Sequence, residues 1–287
     1  VQEAFAATLG QVLPDGIATL AVGGYGRREL FPYSDVDLLL LVRKPPVDAA
    51  AKDALSEFLR ILWDSGLRVS HSVRTVEECC QVTEGNFELT VSLLDERLLG
   101  GDRTLYTQMR ERFVRFLHAE RRDLVRRLCR MTRSRHARFH NTIFRLEPDI
   151  KETPGGLRDL HAARWLRLLR GEGAEATADP RPVEFLFAVR CFLHFRAGRD
   201  QNVLSFDMQD EAASAPFSPW NDPADWMRAW FRTSSAIYRK CLYELEASEA
   251  GDRSLMANFR DWRSRLSNAD FTVSRDLLFL RNPNALE

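Results

Sequence analysis

The stretch AVGGYGRRELFPYSDVDLLLLV, residues 21–42, carries the pattern that decides the fold of this chain. Two adjacent glycines, Gly23 and Gly24, end a short apolar run, and two aspartates, Asp35 and Asp37, open the next one. Placing charged groups at the start of a buried strand is unfavourable unless they are paired or bind a cation. The arrangement therefore indicates a functional site as well as a turn between two strands.

The sequence around this stretch predicts an α+β unit with a short mixed sheet. Apolar runs bounded by glycine or proline predict strands over residues 17–22, 35–42, 66–75 and 87–100. Apolar residues at helical spacing predict helices over residues 48–64 and 76–85. A single helical turn is predicted from Tyr25, stopped by Pro32.

From Asp102 onward the sequence is helical almost throughout. A long amphipathic helix is predicted from Asp102 to beyond Met131, followed by helices over residues 154–171, 182–199 and 223–247 and a hairpin near residues 270–280. We predict two domains, residues 1–101 and an all-α helical bundle over residues 102–287. Because the chain begins at Val1, we expect a fragment of a longer protein, with the helical domain truncated at its C-terminal end.

The charge balance limits the possible partners. The 41 basic and 41 acidic residues give a formal net charge of zero, so the molecule as a whole is not a polyanion binder. Arginines crowd residues 110–138, which we interpret as a solvated helix face with ion pairs rather than as a nucleic-acid surface. We therefore predict no nucleic-acid partner.

Cysteine usage and hydropathy indicate the compartment. The cysteines are scattered and form no CxxC pair, which argues against a disulfide framework or a zinc site: Cys79, Cys80, Cys129, Cys191 and Cys241. No apolar run approaches the roughly 18 residues needed to span a bilayer, and no signal peptide opens the chain. We expect a cytoplasmic protein without a membrane partner.

The position of the acidic pair matters more than its spacing, because an Asp-x-Asp pair arises by chance about once in a chain of this length. In a strand, Asp35 and Asp37 point to one face while Val36 and Leu38 face the core. Two carboxylates this close repel each other, and a divalent cation removes the conflict. Carboxylate oxygens suit magnesium, which leaves coordination positions for phosphate oxygens.

The glycine turn and a third acid complete the predicted site. Backbone N–H groups at Gly23 and Gly24 can approach a phosphate closely. Two metal ions on a transferred phosphoryl group need a ligand beyond the first pair. We predict that this ligand is Asp95, in the middle of the fourth strand, with Arg97 beside it.

With these residues the chain resembles the nucleotidyltransferase superfamily. More narrowly, it resembles the PII uridylyltransferases, the bifunctional uridylyltransferase/uridylyl-removing enzymes of bacterial nitrogen regulation. Three further stretches carry the resemblance: HSVRTVEEC at 71–79, SLLDERLLGGD at 92–102 and IKETPGGLRDLH at 150–161. The resemblance implies a nucleotidyltransferase catalytic domain followed by a helical domain that closes the nucleotide cleft.

The resemblance also implies roles for individual residues. Asp35, Asp37 and Asp95 would be catalytic residues and ligands of Mg²⁺, with two ions expected. The expected nucleotide-binding residues are Gly23, Gly24, Arg27, Ser34, Lys151, Gly155, Gly156, Arg158 and Asp159. Arg28 stands where a glycine or another small residue is expected.

The implied reaction is transfer of UMP from UTP to a tyrosine hydroxyl of the PII signalling protein, with release of pyrophosphate. None of the six histidines precedes an aspartate, so the His-Asp phosphohydrolase signature is absent from this sequence. We expect the chain to transfer the nucleotide but not to remove it.

Three alternatives stay open at this point. The chain could be an adenylyltransferase of a related protein target, since the sequence does not determine base selectivity. It could modify a small molecule such as an aminoglycoside, which the HSVRT and PGGLRD stretches argue against. It could also be a regulatory module that binds a nucleotide without turnover.

Overall fold

The computed structural model describes residues 1–13, 15–44, 49–82, 87–173, 180–250, 271–274 and 277–280. Within them the helices are α1 Gln2–Ala7, α2 Leu9–Val12, α3 Gly23–Arg27, α4 Ala49–Asp64, α5 Val76–Cys79, α6 Phe87–Leu93, α7 Arg103–Ala119, α8 Arg121–Arg138, α9 Leu157–Arg170, α10 Arg181–Ala197, α11 Phe206–Ala213 and α12 Pro223–Ala250. The strands are β1 Ile17–Ala21, β2 Val36–Val42, β3 Val69–Thr75, β4 Arg97–Gly101, β5 Phe271–Ser274 and β6 Leu277–Leu280. A small mixed sheet followed by helices confirms the predicted α+β class.

The four-stranded sheet has the order β3-β2-β1-β4. β1 is antiparallel to both of its neighbours, and β2 is parallel to β3. The pairing of Ala21 with Leu38 brings the end of β1 and the start of β2 to one edge of the sheet. Because the glycine turn follows Ala21 and the acidic pair opens β2, this edge holds both motifs.

Both faces of the sheet are covered, which explains the continuous apolar run in β2. One face packs Leu38 and Leu40 against Phe58 of α4 and against α1. The other face packs Leu39 and Leu41 against α5 and α7. A strand buried on both faces cannot alternate between apolar and polar residues. Asp37 interrupts this pattern at the edge of the sheet.

The predicted strand over residues 87–100 is wrong in its first half. Residues 87–93 form α6, a turn follows, and only Arg97–Gly101 form β4. Leu89 and Leu93 of α6 pack under the sheet, whereas Phe87 and Val91 pack into the helical part. A short helix between two cores is apolar on both sides, so its periodicity does not distinguish it from a strand. Asp95 consequently lies in the turn and not in a strand.

The predicted long helix from Asp102 is in fact two helices. α7 ends at Ala119, and α8 starts after Glu120. α7 packs on the sheet through Leu105 and Met109, whereas α8 packs on α9 and α12. No glycine or proline marks this change of direction, so the sequence pattern continues through it. The domain boundary near residue 102 stays a prediction.

The remaining predicted elements can be compared directly. The predicted strands over 17–22, 35–42 and 66–75 correspond to β1, β2 and β3, and the predicted helices over 48–64, 154–171, 182–199 and 223–247 correspond to α4, α9, α10 and α12. The helix predicted over 76–85 is confirmed only for α5, and residues 83–86 lie outside the described part. The predicted hairpin is present as the antiparallel pair β5–β6, with residues 275–276 outside the described part. The short helices α1, α2 and α11 were not predicted.

The described residues include no helix that is both long and apolar enough to cross a membrane.

α3 ends at Arg27, and the residue that caps it, Arg28, has left-handed backbone angles of φ 65° and ψ 32°. This conformation is unfavourable for residues with a Cβ and accessible to glycine. We therefore expect Arg28→Gly to raise the free energy of unfolding by about 0.5–1 kcal/mol, measured by urea denaturation. The control is Arg130→Gly in the middle of α8, where the same substitution should lower it by about 1 kcal/mol. Destabilisation by both substitutions would contradict the expectation.

Candidate active site

A cavity of about 560 Å³ opens at the sheet edge that holds the glycine turn and the acidic pair. The α3 turn and the starts of β2 and β3 form one wall, and α6, α8, α9 and the segment before α9 form the other. The predicted site residues that line it are Gly23, Gly24, Arg27, Ser34, Asp35, Asp37, Lys151 and Arg158. The cavity therefore joins residues from both predicted domains.

The acidic pair lies at this edge with the predicted alternation. Val36 and Leu38 are buried, Asp37 between them is half-buried, and Asp35 is exposed. Burial and the negative charge of Asp35 raise the pKa of Asp37. No hydrogen bond or ion pair reaches the Asp37 carboxylate from the described residues.

Asp35 has a partner that was not predicted. Arg68 Nε lies 3.0 Å from Asp35 Oδ1, and both side chains are about half exposed. The parallel pairing of Val36 with Val69 places the two residues side by side. The register of β2 on β3 cannot be read from the sequence, which is why Arg68 was missed.

The glycine turn is fitted closely to the acidic pair. Val22 N–H donates to the Asp37 carbonyl oxygen at 3.1 Å. Gly23 has φ +55°, and a Cβ there would lie 3.0 Å from Asp37 Oδ2. A side chain at position 23 would therefore press on the carboxylate. Gly26 was not predicted, yet a Cβ at this position would overlap the carbonyl oxygen of Asp95.

Ser34 shapes the loop that leads into the acidic pair. Its Oγ accepts a hydrogen bond from Phe31 N–H at 3.1 Å, and its own N–H donates to the Phe31 carbonyl oxygen at 2.9 Å. This short turn places Ser34 at the cavity wall directly before Asp35.

Three cations lie near the acidic pair, and their positive charges oppose the rise in the pKa of Asp37: Arg27, Lys151 and Arg158. Arg27 lies on the same wall as the aspartates, and Lys151 and Arg158 lie across the cavity. Lys151 Nζ lies 3.8 Å from Asp200, and Arg158 Nε lies 3.2 Å from Glu152. Both cations are only partly neutralised by these partners, so the wall opposite the aspartates is positive.

Three further arginines line the cavity and were not predicted: Arg135, Arg138 and Arg190. Arg135 and Arg138 belong to the arginine-rich stretch that we interpreted as a solvated helix face. The arginine-rich stretch was the sequence signal from which these two cavity-lining residues could have been predicted, because two arginines three residues apart share one face of α8. Arg138 is exposed and has no ion-pair partner among the described residues.

Gly155, Gly156 and Asp159 are not among the described residues that line the cavity. The Asp159 side chain is fully buried, ion-paired with Arg135, and accepts a hydrogen bond from His136 Nε2 at 2.7 Å. Gly155 N–H also donates to the Asp159 carboxylate, at 2.8 Å. The hydrogen bond between Gly155 and Asp159 therefore shapes the part of the chain that carries Lys151 and Arg158. The ion pair with Asp159 holds Arg135 at the cavity wall.

Asp95 is not among the described residues that line the cavity with the acidic pair. Asp95 Oδ2 accepts from Arg27 Nη1 at 2.7 Å and from Trp165 Nε1 at 2.8 Å, and Arg164 lies 3.3 Å from Oδ1. The Asp95 side chain is fully buried. Arg27 and Arg164 balance the charge of this carboxylate, although Oδ1 is buried without a hydrogen-bond partner.

Arg27 also connects to a buried histidine through Glu29. Arg27 Nε donates to Glu29 Oε2 at 2.7 Å, and His161 Nε2 donates to the same oxygen at 3.1 Å. Burial lowers the pKa of His161 to about 4, so the imidazole is neutral at pH 7. Burial raises the pKa of Glu29, but the hydrogen bonds from His161 and Arg27 outweigh it and bring the pKa to about 2.

This histidine gives the protein a pH-dependent stability. Unfolded His161 takes up a proton near pH 6.5, whereas the folded form does so only near pH 4, so acid favours the unfolded state in between. We expect the free energy of unfolding to fall by about 2 kcal/mol from pH 7 to pH 4.5, and His161→Gln to flatten this dependence. Urea denaturation at several pH values measures it, with His118→Gln, at an exposed histidine, as the control. An unchanged slope in His161→Gln would contradict the assignment.

Comparison with known proteins shows which family this chain resembles. A family model described as GlnD PII-uridylyltransferase matches residues 123–181 and 172–242. A bifunctional uridylyltransferase/uridylyl-removing enzyme of Cupriavidus metallidurans is 33% identical over 301 residues, covering 96% of this chain and 34% of the relative. Enzymes of the same name are 40% identical over 287 residues in Haemophilus influenzae (93% of this chain, 32% of the relative) and 36% identical over 259 residues in Ralstonia nicotianae (83% and 29%).

The chain belongs to the GlnD PII-uridylyltransferase family. It spans about a third of the length of these uridylyltransferase/uridylyl-removing relatives. The family model covers α8 to α12, and the relatives extend the similarity over most of the chain.

Asp35 and Asp37 could hold a divalent metal ion at the edge of the cavity. Asp37 offers a carboxylate that is half-buried, carries a raised pKa and lacks a partner among the described residues. A bound cation would remove the repulsion between the two carboxylates. Their hard oxygen donors match magnesium.

Proposed function

We propose that this chain is a magnesium-dependent nucleotidyltransferase that transfers UMP from UTP to a tyrosine hydroxyl of a PII signalling protein and releases pyrophosphate. The observation that carries the proposal is the unpartnered Asp37 carboxylate, beside the Gly23 turn and opposite a wall of cations. The names of the relatives support uridylyl transfer as the reaction type.

The acidic pair would hold the metal, with Asp35 and Asp37 as its ligands. A bound magnesium ion neutralises phosphate charge and polarises the phosphoryl group. Because Gly23 has no side chain, nothing at that position presses on the Asp37 carboxylate. The ion pair with Arg68 holds Asp35 at the edge of the sheet. Asp95, expected from the sequence as a further ligand, is not used in this proposal.

The cations of the opposite wall would bind the triphosphate. Lys151 reaches the cavity from the segment before α9, Arg158 from the first turn of α9, and Arg138 from the last turn of α8. Guanidinium groups pair with phosphate oxygens through two parallel hydrogen bonds, and a lysine supplies a point charge. Ser34 and the N–H groups of the glycine turn lie on the side of the acidic pair.

The transfer itself needs positioning more than covalent chemistry by the protein. The tyrosine oxygen forms a bond to the α-phosphorus of UTP, the bond from that phosphorus to the bridging oxygen breaks, and pyrophosphate leaves. The hydroxyl proton passes to solvent. Lys151, Arg158 and Arg138 stabilise the negative charge that grows on the leaving pyrophosphate.

The test is transfer of label from α-labelled nucleotides to a purified PII protein in magnesium, comparing UTP with ATP, CTP and GTP. Transfer selective for UTP supports the proposal. Transfer selective for ATP would replace it with adenylyl transfer by the same site. Binding of UTP without transfer would indicate a module that binds the nucleotide without turnover.

A further inference from the structure

The Arg27 guanidinium is held by residues from three separate parts of the chain. It donates to Asp95 in the turn before β4 and to Glu29 in the loop after α3, each at 2.7 Å. Its Nη2 lies 3.4 Å from Nδ1 of His161 on α9. The Arg27 side chain is 7% exposed, yet it lines the cavity. Its orientation is therefore fixed by Glu29 and His161, which also line the cavity, and by Asp95, which does not.

The charges around Asp95 are already balanced. Two carboxylates, Asp95 and Glu29, meet two guanidinium groups, Arg27 and Arg164, and His161 is neutral at pH 7. Both hydrogen bonds to Asp95, from Arg27 and from the indole N–H of Trp165, reach Oδ2, whereas Oδ1 is buried, faces Arg164 and has no hydrogen-bond partner. A divalent cation at Oδ1 would have to displace Arg164, and a cation bound by both oxygens would also have to displace Arg27 and Trp165. Displacing a guanidinium from a buried ion pair is destabilising because its charge is left without a partner.

Arg27 lies against the glycine turn as well as against Asp95. Its Nη2 lies close behind the glycine turn, 3.9 Å from where a Cβ of Gly24 would be. A shift of the guanidinium would therefore change the charge and the space on the side of the cavity that holds the turn.

We propose that Asp95 is a positioning residue that acts through Arg27: it fixes the guanidinium beside the Gly23–Gly24 turn, where Arg27 meets the phosphates of the nucleotide, and it binds no metal ion. The identity of the ligand, a nucleoside triphosphate, rests on the proposed function. The role of Asp95 behind Arg27 rests on the contacts alone.

The first experiment separates a positioning residue from a metal ligand. Mn²⁺ binding is followed by electron paramagnetic resonance, and UTP binding by calorimetry, in the full chain. We expect Asp95→Asn to keep the Kd for Mn²⁺ within about twofold and to weaken UTP binding about tenfold, with KM rising more than kcat falls. Asp37→Asn should lose Mn²⁺ binding. Loss of Mn²⁺ binding in Asp95→Asn as well would overturn the proposal.

The second experiment tests whether Asp95 acts through Arg27. In the Arg27→Gln background, Asp95→Asn should have no further effect on UTP binding, whereas two independent roles would add. If Asp95→Asn does not fold, Arg27→Lys replaces it, because a lysine has one nitrogen and lacks the planar guanidinium that reaches Glu29 through Nε and Asp95 through Nη1. Arg27→Lys should weaken UTP binding with Mn²⁺ binding intact, and unchanged UTP binding would refute the proposal. A parent chain that binds neither Mn²⁺ nor UTP would instead refute the proposed function.

Discussion

Asp37→Asn is expected to lower UMP transfer about 10³-fold and, in the absence of metal, to raise the melting temperature. The loss of transfer follows from removing a metal ligand, which accounts for several kcal/mol of transition-state stabilisation. The gain in stability follows from the raised pKa of Asp37. A carboxyl whose pKa is raised by folding favours the folded state below its ordinary pKa of 3.8, and this contribution is lost as the pH rises.

At pH 7 the ionised Asp37 therefore opposes folding, and the neutral amide does not. We expect a rise of about 2–4 °C in Tm without metal. Adding Mg²⁺ should stabilise the parent but not the variant, because only the parent binds the ion. The control is Asp53→Asn, at an exposed position of α4, which should change neither the activity nor the response to Mg²⁺. An Asp37→Asn variant that still gains stability from Mg²⁺ would show that the metal binds elsewhere.

The part of the site that could be predicted from the sequence is the part built from neighbouring residues. Gly23 follows the end of β1, and Asp35 and Asp37 lie at the start of β2, which pairs with β1, so their proximity follows from one connection. Alternation along β2 then determines which way each carboxylate points. Local patterns suffice here because few residues separate the interacting groups.

The part that could not be predicted depends on contacts between distant segments. Asp95 has the residue type and the neighbours of a third metal ligand, and only the fold shows that Arg27, 68 positions away, occupies its carboxylate. The strand predicted over residues 87–93 was wrong for a similar reason, because the apolar residues of α6 pack into two cores and resemble a strand. Asp159 depends on distant contacts too: the family resemblance implies a nucleotide-binding role, and only the fold shows that its side chain is buried against Arg135 and His136 of α8.

Gly155→Ala is expected to destabilise the protein by about 2–5 kcal/mol. Gly155 has φ +78°, and a Cβ there would overlap Oγ and the carbonyl oxygen of Ser234 on α12. Left-handed angles cost about 1–2 kcal/mol for a residue with a Cβ, and overlap with a packed neighbour adds about 1–3 kcal/mol. Ser234 is buried and donates to the Pro154 carbonyl oxygen at 3.2 Å, so neither side can move freely.

Gly171 provides the matched control, because it ends α9 with φ +80° and has nothing within 4 Å of the added Cβ. Gly171→Ala should therefore show only the backbone cost of about 1–2 kcal/mol, and the difference between the variants isolates the contact with α12. Urea denaturation of both variants measures this difference.

Equal destabilisation would show that Gly155 tolerates a side chain against α12. In that case a loss of UTP binding by Gly155→Ala would point back to a direct role in the nucleotide site. A large difference instead means that this glycine acts by docking the turn on α12, which places Lys151 and Arg158 at the cavity wall.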